Sequence, residues 1–199
     1  MNIPLSASAV MRWSPDVEGG EAAQFRIKPA SLIERAAFRR DIAAQGCRFP
    51  TQAELFAILR GLLADHGDEE SGGFLAAIDY LEFTAETPPD AGDAEAAQQI
   101  AEAAALVEAL EETLRGFENP YLRALADREH FLTVAPLIAA QRFCVGWEGA
   151  YAGADLPAFQ QRNGLIPLEL LEQLDPNLRT LLGFRCLDAV NLSGAARKN

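Results

Sequence analysis

The segment from Ala94 to Phe117 carries the pattern that most restricts how this chain can fold. Apolar side chains recur there at alternating steps of three and four residues, at Ile100, Ala103, Val107, Leu110, Leu114 and Phe117. This spacing places all six along one side of an α-helix. These six residues form an apolar seam of about two and a half heptads, fewer than the three to four expected of a coiled coil. It predicts either one helix of an intramolecular bundle or a helix that pairs with a partner or with a second copy.

Helix start signals recur through the rest of the chain. Ser31 and Thr51 each precede a glutamate by three residues, which is the pattern of a capping box. A capping residue followed by proline opens further helices at Asn119 and Asp175. Between these signals, apolar runs predict helices over residues 74–83, 131–143 and 167–174. Pro136 lies inside the second run and predicts a kink there or a helix start near 133.

Residues 5–28 predict a β-hairpin, because one run that favours a strand leads into a turn at Ser14-Pro15-Asp16, and Gly19-Gly20 precede a second such run. The chain is therefore predicted to be mainly α, a helical bundle with a small N-terminal β-hairpin. The predicted division is a hairpin over 1–30, a helical domain over 31–192 with an acidic segment at 65–118, and a flexible tail over 193–199.

The net charge of −12 is distributed unevenly. Residues 65–118 hold fifteen Asp and Glu and one Arg, whereas the flanking segments are close to neutral. An electrostatic field of this sign repels nucleic acid, so we expect no nucleic-acid partner. Arg35, Arg39 and Arg40 form a basic group on the first predicted helix, which indicates either a solvated face or a docking patch for an acidic partner.

Catalytic and cofactor motifs are missing from the sequence. His66 and His130 have no second His or Cys at metal-ligand spacing, and no nucleophile elbow or glycine-rich phosphate loop occurs. Three widely spaced cysteines favour buried free thiols in a reducing compartment. No apolar run reaches the length of a membrane span, and the first residues do not resemble a signal peptide. We expect no enzymatic activity, cofactor, metal or membrane partner.

The most distinctive block is residues 142–149, which read Arg-Phe-Cys-Val-Gly-Trp-Glu-Gly. It is followed by Leu-Pro-Ala-Phe at 156–159, by an apolar run at 164–171 and by the Asp-Pro helix start at 175. Together with the Phe-Arg-Ile-Lys-Pro stretch at 25–29, this arrangement resembles the small tail assembly chaperones of long-tailed bacteriophages. The resemblance covers the chain loosely, and the Gly-Trp-Glu-Gly block is its most specific part.

The resemblance implies a non-enzymatic protein of the host cytoplasm that takes part in virion assembly. Such chaperones bind the tape measure protein and help tail tube protein to polymerise around it. Two other functions stay open. One is a structural tail or head-completion protein that remains in the virion, and the other is an acidic DNA mimic that inhibits a nuclease.

The predicted partner-binding residues are Phe143 and Trp147 together with four members of the seam, Ile100, Val107, Leu110 and Leu114. Trp147 has two interpretations, since an indole between glycines can either fill a core or anchor a partner.

Overall fold

A computed structural model describes residues 10–16, 23–66, 71–90 and 92–195. Its seven helices and five strands, in chain order, are β1 (Met11–Trp13), β2 (Gln24–Ile27), α1 (Leu32–Ala44), α2 (Gln52–His66), α3 (Ser71–Glu86), α4 (Ala94–Leu114), α5 (Pro120–Phe143), β3 (Cys144–Glu148), β4 (Ala150–Tyr151), β5 (Ala154–Asp155), α6 (Leu168–Leu171) and α7 (Pro176–Ala195). The protein is mainly α with a small antiparallel sheet, which confirms the predicted fold class.

The chain forms two compact units. Residues 1–48 and 130–199 form one, here called the sheet unit, and residues 49–129 form the other, here called the acidic unit. Helix α5 contributes its first part to the acidic unit and its second part to the sheet unit. These boundaries differ from the division predicted at 30/31 and 192/193, because that division followed composition and could not show which distant segments pack together.

The sheet has the strand order β1-β2-β3, and both pairings are antiparallel. Strand β2 alternates exposed and buried residues, with Phe25 and Ile27 inside, as a strand with one buried face should. The β1 and β2 strands of the predicted hairpin are confirmed. The predicted turn residues 14–16 follow β1 directly, and residues 17–22 of the connection lie outside the described residues. Strand β3 was not predicted: the apolar helix predicted over 131–143 does end at Phe143, and residues 144–148 then pair with β2.

The core of the sheet unit lies between the sheet and helices α1, α5 and α7. Phe38 of α1 packs edge-on against Phe143 of α5, with ring centroids 5.7 Å apart. Helices α5 and α7 approach so closely that a Cβ added to Gly183 would lie 2.8 Å from the Cβ of Pro136. The glycine therefore permits this helix pair to meet at the proline.

The acidic unit packs helices α2, α3 and α4 around its own core. Four seam residues of α4 are buried there, and Tyr121 of α5 adds its ring to the same cluster. The guanidinium of Arg60 on α2 pairs with Asp79 at 2.7 Å and with Glu82 at 2.6 Å, both on α3. Apolar packing and this ion pair hold the three helices together.

Several helix limits differ from the prediction. Helix α5 runs without a break through Pro136, and helix α4 ends at Leu114, which leaves Phe117 outside it and half exposed. Helix α7 continues to Ala195, so part of the predicted flexible tail is helical, whereas residues 196–199 lie outside the described residues.

Helix α1 is rotated relative to its predicted orientation. Its capping box at Ser31 and Glu34 forms as expected. The apolar pattern of the sequence predicts a buried side made of Leu32, Ala36, Phe38, Ile42 and Ala43. In the structure Phe38 and Ile42 are buried, whereas Leu32, Ala36 and Ala43 are exposed. Phe38 and Ile42 together bury one aromatic and one large aliphatic side chain, whereas the other side offers one leucine and two alanines, so the side with the larger apolar surface faces the core.

Candidate functional site

Trp147 lies inside the sheet unit. Its ring packs edge-on against Phe159 at a centroid distance of 4.8 Å and is tilted against Phe25 at 6.1 Å. Its indole Nε1 donates a hydrogen bond of 2.7 Å to the carbonyl oxygen of Pro157. The side chain is buried, and its one polar atom has a partner, as a tryptophan in a core requires.

Each of the two glycines near Trp147 is needed for a different structural reason. Gly146 pairs with Arg26 on β2, and a Cβ at this position would lie 2.7 Å from the Cζ of that arginine. Gly149 has a φ of 93°, which only glycine adopts readily, and its carbonyl accepts the N–H of Leu156. The Gly-Trp-Glu-Gly block thus forms a strand and a tight turn that hold the following loop.

The predicted partner-binding residues are placed in the two cores. Phe143 and Trp147 are buried in the sheet unit, and Val107, Leu110 and Leu114 in the acidic unit, while Ile100 is partly buried. The structure therefore brings them together in two groups, neither of which presents a large apolar surface to solvent. Their burial agrees with the core interpretation, and a role in partner binding stays a prediction.

A different apolar surface lies between helices α5 and α7 of the sheet unit. It is a cavity of about 230 Å³ lined by Leu132, Thr133, Pro136, Leu137, Arg179, Thr180 and Phe184. Leu132 is 41% exposed and Phe184 is 38% exposed, and Leu181, the next residue after Thr180 on α7, is 47% exposed. We call the cavity and these three exposed side chains the α5–α7 groove.

The sequence contained a signal for this groove that the predictions did not use. Helix α7 buries Leu178, Leu182 and Cys186 on one side, yet Leu181 and Phe184 lie on another side of the same helix. A helix that is apolar on more than one side needs a second partner for the additional side. The apolar stripe of α7 that faces solvent is therefore the feature that distinguishes it from an ordinary surface helix.

Burial disfavours the ionised form of two cysteine thiols in the sheet unit. Burial raises the pKa of the Cys144 thiol to about 12, and burial also raises the pKa of Cys186 well above its ordinary value. Neither thiol is ionised near neutral pH, so neither is a nucleophile there. Among the described residues, no group of three or more His, Cys, Asp or Glu is placed to hold a metal ion.

A further cavity of about 380 Å³ lies beside the loop that Trp147 holds. Its lining is mixed, with Gln160, Arg162, Glu169 and Gln173 beside Pro157 and Leu170. Compared with the α5–α7 groove it contains more polar groups and fewer exposed apolar side chains. We therefore take the α5–α7 groove as the candidate site.

Comparison with known proteins gives no relative for this chain: no protein-family model, no curated protein and no solved structure matches it. Within the described part of the chain, no helix has the length and hydrophobicity needed to cross a bilayer. The function must therefore be argued from the sequence motif and from the surfaces described above.

Proposed function

We propose that this protein is a phage tail assembly chaperone, which binds an apolar helical segment of the tape measure protein without catalysing a reaction. The observation that carries the proposal is the α5–α7 groove, where Leu132, Leu181 and Phe184 remain exposed although the sheet unit has a well-filled core. The motif at 142–149 supplies the family resemblance, and the groove supplies a surface for the corresponding activity.

The groove has the chemistry expected of a helix-binding surface. Two helices form its walls, and apolar side chains that reach out from both can pack around the apolar face of a third helix. Burying about half of one leucine side chain contributes on the order of 1 kcal/mol. Three such side chains contribute about 3 kcal/mol, less than the roughly 4 kcal/mol of a millimolar complex, so stable binding needs further contacts along the partner.

The charge of the protein fits the same task. Residues 49–129, the acidic unit, contain 18 Asp and Glu and 4 Arg, a net charge of −14, whereas the remaining residues carry +2. A strongly negative unit repels other copies of itself and so opposes aggregation of any complex that carries it. A chaperone for an aggregation-prone helical partner benefits from such a unit.

The test is co-expression with the tape measure protein encoded nearby, followed by pull-down and size exclusion. The wild-type chain is expected to keep the tape measure protein soluble in a complex. Leu132→Glu and Phe184→Glu are expected to lose the complex, because both side chains line the cavity of the groove and each change places a charge there. Leu106→Glu is the matched control, since Leu106 is similarly exposed on α4 of the acidic unit. Circular dichroism would verify that all three variants stay folded.

Two results would overturn the proposal. A tape measure protein that stays insoluble with the wild-type chain would remove the proposed activity. Recovery of this protein by mass spectrometry from purified virions, without any complex in the co-expression, would favour a structural tail or head-completion protein. If a complex forms and all three variants keep it, the chaperone activity stands and the groove is not its binding surface.

A further inference from the structure

Helix α1 exposes an apolar and basic face. Ile33 is 82% exposed, the largest fraction among the large apolar side chains described. Leu32 is 61% exposed, a fraction that only Phe83 equals. Ala36, Arg39, Arg40 and Ala43 are also exposed and follow on the same side of the helix. We call these six residues the α1 face.

The charges of the α1 face are all positive. The two carboxylates of helix α1 point elsewhere: Glu34 accepts a hydrogen bond of 2.5 Å from Lys28, and Asp41 accepts one of 2.8 Å from Arg142. No ion pair among the described residues involves Arg39 or Arg40. The face therefore presents two cationic groups beside two large apolar side chains.

We propose that the α1 face docks an amphipathic helix whose apolar stripe is flanked by carboxylates. Charge complementarity selects carboxylates as the residues that flank the apolar stripe of the partner, since Arg39 and Arg40 bind carboxylates and repel cations. The small side chains of Ala36 and Ala43 let another backbone come near. A face of 13 helical residues is about 20 Å long, which matches a partner helix of similar length.

The form of the occupant follows from the backbone of α1. A helix satisfies its own N–H and C=O groups and offers no open edge to which a strand could add. This excludes strand addition, and a partner helix, whose backbone groups are paired internally, suits such a face. An anionic membrane would complement the arginines equally well, but the large apolar side chains lie only in the first turn of α1. That is too little apolar surface for stable insertion into the lipid interface.

This surface is separate from the α5–α7 groove, so its test is independent of the proposed function. The probe is a synthetic helical peptide of about 20 residues with a leucine stripe flanked by glutamates. A second peptide carries lysine at each glutamate position. Binding of both to the full-length protein is measured by fluorescence anisotropy at low and at physiological salt. The acidic peptide is expected to bind at least about tenfold more tightly, with an affinity that falls as salt rises.

Variants of the full chain localise the binding. The double variant Arg39→Glu/Arg40→Glu is expected to reverse the preference between the two peptides. Ile33→Ser is expected to weaken the binding of the acidic peptide several-fold, because apolar contact is lost. Leu106→Ser, on the acidic unit, is the control and should bind like the wild type. If the charge reversal disturbs folding, Arg39→Gln/Arg40→Gln removes the charges while it keeps good helix formers.

Three outcomes would overturn the proposal: equal affinity for the two peptides, an unchanged preference in the charge-reversed protein, or an unchanged affinity of the acidic peptide in Ile33→Ser. A fourth would reassign the face. If vesicles of phosphatidylcholine and phosphatidylglycerol bind the wild type and not the charge-reversed protein, while neither peptide binds, the partner is a lipid surface and not a helix.

Discussion

Trp147 and Pro157 are joined by a hydrogen bond of 2.7 Å from the indole Nε1 to the proline carbonyl oxygen. The bond connects strand β3 to the loop that leads to α6, and the edge-on contact with Phe159 reinforces it. A second connection runs from Gln141, whose side-chain amide donates to the carbonyl of Ile166 at 3.1 Å. Trp147 in the distinctive block and Gln141 directly before that block therefore organise the segment that follows them in the chain.

Replacing Trp147 should release this loop. Trp147→Phe keeps a ring but loses the hydrogen bond, so we expect the free energy of unfolding to fall by about 1–3 kcal/mol. Trp147→Ala should lower the free energy of unfolding by about 3–5 kcal/mol, because it also leaves a cavity. Urea unfolding measures both values, and faster trypsin cleavage after the exposed Arg162 in Trp147→Phe would report the loosened loop. Unchanged cleavage would mean that other contacts hold the loop.

The approach of α5 to α7 predicts opposite effects for two glycine substitutions. Gly183→Ala should destabilise the protein by about 1–3 kcal/mol, because its Cβ would lie 2.8 Å from Pro136. Gly61→Ala is the matched control on α2, where nothing lies within 4 Å of an added Cβ, and it should stabilise by about 0.5–1 kcal/mol. Thermal unfolding of both proteins tests the pair, and a stabilised Gly183→Ala protein would contradict the packing.

The three cysteines should react at different rates. Cys144 and Cys186 are fully buried, and burial raises both pKa values, whereas Cys47 is partly exposed. In a titration with a disulfide reagent, we expect Cys47 to react in the native protein and the other two only after unfolding. Cys47→Ser should remove the native reaction. Rapid reaction of a second thiol in native Cys47→Ser would show that one of the buried sites opens readily.

Glu34 should make stability depend on acid pH. The hydrogen bond from Lys28 holds the pKa of Glu34 at about 2, below its ordinary value of 4.5. Since the folded pKa is the lower one, the ionised carboxylate stabilises the fold above about pH 4.5, and this contribution is lost as pH falls from there towards 2. The side chains of Lys28 and Glu34 are both about one-third exposed, so solvent screening limits the contribution of this ion pair to the free energy of unfolding to about 1 kcal/mol or less.

Glu34→Gln isolates this charge, because glutamine keeps the capping hydrogen bond to the N–H of Ser31. Urea unfolding of the variant and the wild type should differ near neutral pH, and the difference should shrink as pH falls below about 4.5 and vanish only near pH 2. A constant difference across this range would assign the effect to the cap and not to the ion pair.

Local signals in the sequence predicted much of the fold. The capping residues Ser31, Thr51 and Asp175 each accept backbone hydrogen bonds at a helix start, as their sequence context predicted. The seam of α4 lies on one side of its helix and is buried from Ala103 to Leu114. These features depend on residues three or four positions apart, and such neighbours are fixed by the helix itself.

The candidate site was less predictable. The residues proposed to bind a partner were chosen because they are apolar and regularly spaced, and the same properties place a residue in a core. Exposure distinguishes the two roles, and exposure depends on what other segments cover. Leu181 and Phe184 became candidates only when the structure showed that no described segment covers them.

The helical class, the helix starts, the acidic segment and the apolar seam can all be predicted from the chain alone, because each follows from local spacing and composition. Tertiary structure decided the pairing of β3 with β2, the side of α1 that faces the core and the groove between α5 and α7. The physical reason is common to all three. Each depends on which distant apolar surfaces bury the most area when they meet, and local spacing does not specify that choice.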